Sequence, residues 1–299
     1  MGSRLLIVGA SGFVGSRWAL AAEKNFEVFA GSRTPSSEQS RPVAIDITDP
    51  ARVRAAFAVV RPEFVTHLAA LSDIDRCERE RELAEQINHF GALNVAQECA
   101  RTGARLLYTS TDAVFDGTKH IYYEHDPPTP LNWYGETKAR AERAIAELLP
   151  SAAIVRLSLV LGSSDLGSST LNGGNSYLEK VIGNLKAGNK IVTPTFEFRN
   201  PIDVGTLCDF LLELTPRADA TGIFHIGASD KMSRYDLARA IARQLGYDPA
   251  LIVAQNEPVP GRAPRGQDDF LVTDRLRQFC RTAVPSCQQV IERAVDAVA

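Results

Sequence analysis

At 299 residues, with 44% hydrophobic and 23% charged content, the chain can bury a full core as one large domain or as a domain with a smaller lobe. A net charge of -3, with no run of lysines or arginines, gives no basic field for a nucleic acid and leaves small molecules as the expected partners. The five cysteines, Cys77, Cys99, Cys208, Cys280 and Cys287, are odd in number and form no C-x-x-C, so no disulfide framework and no metal site is expected.

The chain opens on MGSRLLIVGA, whose apolar run is too short for a secretory signal, and Leu6 stands where a myristoylation motif wants Ser or Thr. No apolar stretch approaches the roughly eighteen residues of a membrane span, so a reducing, cytoplasmic location is expected. Short apolar runs at 4–8, 27–31, 43–47, 64–70 and 104–110 read as strands, and residues 82–103 carry apolar positions at helical spacing that stop at Gly103. Continuous apolar strands alternating with helices predict a parallel sheet covered on both faces, joined by right-handed crossovers.

A helix beginning near Tyr134 and a strand at 152–160 follow, and then the Gly/Ser/Asn-rich stretch 161–176, which reads as a mobile loop. Beyond it come a helix near 177–187, an extended segment 190–204, a helix at 205–214, a strand at 222–227 and a helix that Ser233 would cap. The expected fold class is therefore α/β: a Rossmann-like doubly wound parallel sheet at 1–160, and a smaller, partly interleaved C-terminal α/β substrate lobe at 161–299.

Gly9, Gly12 and Gly15, in IVGASGFVG, lie between the first strand and the first helix pattern. Such a turn lets the backbone approach a pyrophosphate while the helix N-terminus offers unpaired amides. The second strand ends at Ser32 and Arg33 rather than at an acidic residue. A hydroxyl beside a guanidinium suits a ribose 2′-phosphate, so NADP is expected ahead of NAD. Asp46 either bonds an adenine amino group or caps the next helix. His67 reads as a packing or hydrogen-bonding histidine rather than a base.

GASGFVG, HLAA, TSTDAVFDG and PLNWYGETKARAE, in this order, resemble the extended short-chain dehydrogenase/reductase family, and most of all its dTDP-4-dehydrorhamnose reductase-like branch. INHFGALNVAQECA, IVRLS and GIFHIGASDKMSRYDLARAIA carry the likeness over most of the chain. The resemblance implies a reductase of a nucleotide-linked 4-ketosugar, with an epimerase or dehydratase, or a non-catalytic NADP-binding regulatory subunit, as alternatives, and a homodimer. It implies that Thr111, Tyr134 and Lys138 are catalytic, with Thr111 bonding the substrate carbonyl oxygen and Tyr134 protonating it. Lys138, one helical turn on, would lower the phenol's pKa and hold the nicotinamide ribose.

Ser11, Phe13, Val14, Ile47, Leu68, Ala69 and Ala70 complete the candidate cofactor contacts. Asp112 and Val114 are substrate candidates beside Thr111, and Arg199 in FRNPIDV is a candidate for a nucleotide phosphate. Arg262 and Arg265 in PGRAPRG read either as diphosphate ligands or as surface charge. Leu159 and Leu161 stand where the reductase branch carries an aromatic pair.

Overall fold

The computed structural model describes residues 2–37, 39–163 and 176–298. Of the stretch expected to form a loop at 161–176, residues 164–175 lie outside the described residues. Seven strands form one parallel sheet: β1 (Arg4–Val8), β2 (Glu27–Ser32), β3 (Pro42–Ala44), β4 (Phe64–His67), β5 (Arg105–Thr111), β6 (Ala153–Leu157) and β7 (Gly222–Ile226). Their order is β7-β6-β5-β4-β1-β2-β3, and every neighbouring pair is parallel. The order reverses between β1 and β4, which opens a crevice at the carboxyl ends of those strands.

The continuous apolar runs are explained by burial on both faces. In β1, Leu5 and Ile7 join one core cluster while Leu6 and Val8 join the other. The helices Phe13–Ala22 and Val204–Leu214 cover the first face through Trp18 and Phe210, and Pro50–Val60 and Ala92–Thr102 cover the second through Phe57 and Val95. Each such side chain contributes roughly 1.5–3 kcal/mol by leaving water.

Several elements differ from the sequence reading. The third strand ends at Ala44, and Ile45 and Ile47 beyond it are buried in the same core. The fourth ends at His67, because the Leu68 and Ala69 amides both donate to the Val8 carbonyl and bend the chain across the end of β1. The 82–103 pattern is not one regular helix: a wide turn of π-helix, Glu85–Gly91, precedes Ala92–Thr102.

The seventh strand comes from beyond residue 160, and the rest of the C-terminal region adds small two-stranded sheets. One of them ties His120–Tyr122 to Asp269–Leu271, so the segment after β5 pairs with the end of the lobe. Ser233 caps Arg234–Gln244 by accepting from the Asp236 amide at 3.0 Å, as expected. Among the described residues no helix is long and apolar enough to cross a membrane, and the five cysteines are buried and free.

Candidate active site

The glycine turn is shaped by backbone contact. A Cβ on Gly15 would meet the Gly9 carbonyl oxygen at 2.1 Å, and one on Gly9, at φ +95, would meet the Ala69 amide nitrogen at 2.6 Å. Only glycine fits at either position. The helix Phe13–Ala22 starts at Gly12 with no side-chain cap and no acidic residue in its first turn, so its first amides face the crevice mouth unscreened. Ser11 and Gly12 are exposed, Phe13 and Val14 half-buried.

At the end of β2, Ser32 is 4% exposed and its hydroxyl has no partner among the described residues, while Arg33 beside it is exposed. Asp46 does not cap the next helix; Asp49 does, accepting from Ala51 and Arg52. Asp46 instead accepts from the Thr48 amide and hydroxyl, at 3.0 and 2.7 Å. These bonds, with the Arg33 charge, hold its carboxyl below the usual range. Leu68, Ala69 and Ala70 line the end of β4 half-buried, while Ile47 is buried and fixed by Asn94 on its carbonyl at 2.8 Å. His67 is a packing residue: buried, stacked on Tyr108, its pKa pushed down to about 3 mainly by burial and further by the Lys138 charge.

Thr111 ends β5 and Tyr134 opens the helix Trp133–Leu148. Asn132 caps that helix by accepting from the Gly135 amide at 2.9 Å. A Cβ on Gly135 would lie 2.0 Å from the Ala113 carbonyl oxygen, so the glycine after Tyr134 is what lets the helix start press onto the turn after Thr111. The Thr111 side chain stands beside the Tyr134 phenol, close enough to act on its proton affinity. The Thr111 Oγ1 donates to Asp112 Oδ1 at 3.1 Å and accepts from the Ala113 amide at 3.1 Å.

Lys138 lies on the same helix, 2% exposed, with Nζ donating to the Thr109 carbonyl at 2.7 Å and 4.1 Å from the centre of the Tyr108 ring. Here the sequence expectation is corrected. Burial pushes the Tyr134 phenol well above its ordinary range, opposed by the neighbouring Thr111 side chain, and the Lys138 ammonium is directed to the Thr109 carbonyl. Burial also lowers Lys138 to about 7, against the opposing charge of Glu142. Tyr134 therefore holds its proton firmly, as a donor should until a more basic oxygen forms beside it.

Two positioning features were not legible in the sequence. Asn88, in the π-helical turn, is 1% exposed, accepts from the Leu71 amide at 2.8 Å and donates to the Leu71 carbonyl at 3.1 Å and to Thr137 Oγ1 at 3.2 Å. It clamps the loop after β4 to the Tyr134 helix; the only signal would have been that π-turns cluster at functional sites. Arg156 of β6 grips Glu142 of that helix through Nη2 at 2.7 Å and Nε at 3.0 and 3.1 Å, with both residues buried.

The lobe-side candidates are placed differently from expectation. Val114 is fully buried in a small core with Phe115, Tyr122, Ala139 and Leu271, which removes it from the substrate surface. Arg199 is 9% exposed, with Nε 3.2 Å from Asp112 Oδ2 and Nη2 3.0 Å from Asp269 Oδ2, so its guanidinium is engaged by carboxylates and not presented to a phosphate. Arg262 pairs with Glu197 at 2.8 Å. Arg265 reaches across to Asp75 Oδ2 at 2.8 Å and Oδ1 at 3.2 Å, while Asn132 donates to the Pro264 carbonyl at 3.0 Å. The segment 262–265 thus straps the lobe onto the start of the Tyr134 helix. No cluster of metal-ligating side chains occurs among the described residues.

Residues 3–299 match the model of the RmlD substrate binding domain. The chain belongs to that family. It is 31% identical to the dTDP-4-dehydrorhamnose reductase of Mycolicibacterium smegmatis, over 100% of this chain and 86% of the relative. It is also 31% identical to methionine adenosyltransferase 2 subunit beta of Xenopus tropicalis, over 93% of this chain and 83% of that one. Among solved structures, dTDP-4-dehydrorhamnose reductase from Bacillus anthracis in complex with NADP superposes with a TM-score of 0.85 at 26% identity, covering 98% of this chain and 99% of that one. UDP-glucose 4-epimerase from Thermotoga maritima, at 19% identity and a TM-score of 0.83 over 99% and 98% of the two chains, shares the fold. These likenesses agree with the extended short-chain dehydrogenase/reductase pattern of the sequence motifs.

Proposed function

We propose that this protein is an NADP-dependent reductase of a nucleotide-linked 4-ketosugar, resembling dTDP-4-dehydrorhamnose reductase. The observation that carries the reading is the juxtaposition of Thr111, at the end of β5, with the start of the helix Trp133–Leu148, where Gly135 presses onto the Ala113 carbonyl and Tyr134 and Lys138 lie one turn apart. The crevice suits a dinucleotide: Gly9 and Gly15 let the turn pack tightly between β1 and an uncapped helix N-terminus at Gly12, and Ser32 offers a buried hydroxyl without a partner among the described residues. Arg33 beside it supplies the charge a 2′-phosphate would need, which favours NADP over NAD.

Bound NADPH supplies the hydride in this reading. Tyr134 gives its proton to the carbonyl oxygen as negative charge develops there, and Thr111 fixes that oxygen and the phenol together. Lys138, anchored on the Thr109 carbonyl, would hold the ribose. Leu161 is buried in the core and Leu159 packs against it, so neither replaces the aromatic pair of the reductase branch as a sugar contact. We place the enzyme in the cytoplasm as a homodimer.

The test is turnover of NADPH by purified protein with a panel of nucleotide-linked 4-ketosugars. Tight NADPH binding without turnover of any of them would remove this substrate class. A second reading, a non-catalytic NADP-binding subunit, draws on the equal identity to methionine adenosyltransferase 2 subunit beta. It requires that Tyr134→Phe leave the biological function intact.

A further inference from the structure

Thr111 has one hydroxyl proton, and its nearest anionic acceptor is Asp112 Oδ1 at 3.1 Å. Asp112 is itself 9% exposed, and its second oxygen lies 3.2 Å from Arg199 Nε and 3.4 Å from Ser158 Oγ. Arg199 in turn meets Asp269 at 3.0 Å and donates to the Gly266 carbonyl at 3.0 Å. Two carboxylates and one guanidinium are therefore buried together, and without the guanidinium the two acids would face each other in a poorly solvated site. Thr111 and Asp112 belong to the end of β5, whereas Arg199, Gly266 and Asp269 belong to the C-terminal lobe. The ion-pair chain crosses from the lobe to the reacting hydroxyl.

We propose that Arg199 and Asp269 are positioning residues that act through Asp112 to hold the Thr111 hydroxyl against Tyr134. In this role the lobe reports its seating directly to the proton-donating pair. Arg199 serves by the fork of its guanidinium, which spans two carboxylates at fixed separation, a task a lysine ammonium performs only in part. The inference rests on the reductase reading for its kinetic consequence, though not for its geometry.

The experiment is a kinetic cycle with NADPH and the best ketosugar nucleotide. Arg199→Gln is expected to lower kcat by about 10–100-fold while the KM for either substrate changes by less than about 3-fold. Arg199→Lys should recover part of the loss. Thr111→Val combined with Arg199→Gln should be no slower than Thr111→Val alone, because the arginine acts only through the hydroxyl. Losses that multiply in the double variant overturn the proposal, as does a rise in the sugar nucleotide KM with kcat unchanged, which would mark Arg199 as a direct substrate ligand. Asp269→Asn, nearly isosteric, repeats the cycle if Arg199→Gln does not fold. A crystal structure of the folded variant gives a readout that needs no turnover: the Thr111–Asp112 bond should be lost or the Asp112 carboxylate rotated. Retention of both in their present places sinks the relay even if the wild-type protein proves to have another substrate, while wild-type inactivity alone would fault only the reductase reading.

Discussion

Around the glycine turn the crevice is lined by backbone and by a hydroxyl without a partner among the described residues, whereas Arg199, Arg262 and Arg265 of the C-terminal region are each met by a carboxylate. Gly9, Gly12 and Gly15 shape the first side, with Ser32 buried and unpartnered among the described residues. On the second, Asp112 and Asp269 hold Arg199, Glu197 holds Arg262, and Asp75 holds Arg265. The difference is physical. A buried unsatisfied hydroxyl costs about 1–3 kcal/mol unless a ligand answers it, which makes it a pointer to a ligand. An arginine already met by carboxylates, two of them from the first half of the chain, ties distant segments together instead.

The comparison can be broken at several points. Tyr134→Phe should cut turnover by about 10²–10⁴-fold while NADPH binding, followed by fluorescence, stays within a few-fold. An unchanged rate would move the function away from catalysis altogether. Gly15→Ala places a Cβ 2.1 Å from the Gly9 carbonyl oxygen, so the turn itself must move. The expected cost is about 2–4 kcal/mol of stability together with loss of NADPH binding, both measurable by thermal melting with and without cofactor. A variant that melts like the wild type would show that the backbone does not set this side.

Smaller effects sharpen it. His67 and His225 are both buried with pKa values near 3, lowered mainly by burial, so between about pH 6.5 and 3 the unfolded chain takes up protons that the folded chain refuses. Stability is complete above that window and falls as the pH drops, by about 1.4 kcal/mol per unit for each histidine. His67→Phe should flatten urea midpoints measured between about pH 6 and 4 by one such slope. Arg33→Ala should weaken NADPH about 10-fold and leave NADH affinity unchanged. An equal loss for both cofactors would show that Arg33 does not read the 2′-phosphate.

The central sheet was readable because its strands are short continuous apolar runs buried on both faces, as β1 shows by sending Leu5 and Ile7 one way and Leu6 and Val8 the other. The glycine turn was legible because it lies on a local motif, and the structure brings Thr111 beside the helix that carries Tyr134 and Lys138. Strand ends were less legible: nothing local announces that Leu68 and Ala69 turn to bond Val8, since that bond depends on a neighbouring strand. Val114 looked like a surface residue by its nearness to Thr111 but faces inward, because the turn after β5 rotates its side chain under Phe115.

The order of strands and helices along the chain and the glycine turn after β1 follow from residues close together in sequence, and so were legible there. Which acid meets which arginine, and which way Lys138 points, was decided only by the tertiary structure. Asp112 and Arg199 stand 87 positions apart, and Asp75 and Arg265 are 190 apart. Burial also reversed the expected effect on Tyr134: desolvation depends on everything packed around the phenol, and it outweighs a lysine one turn away whose ammonium has turned to the Thr109 carbonyl.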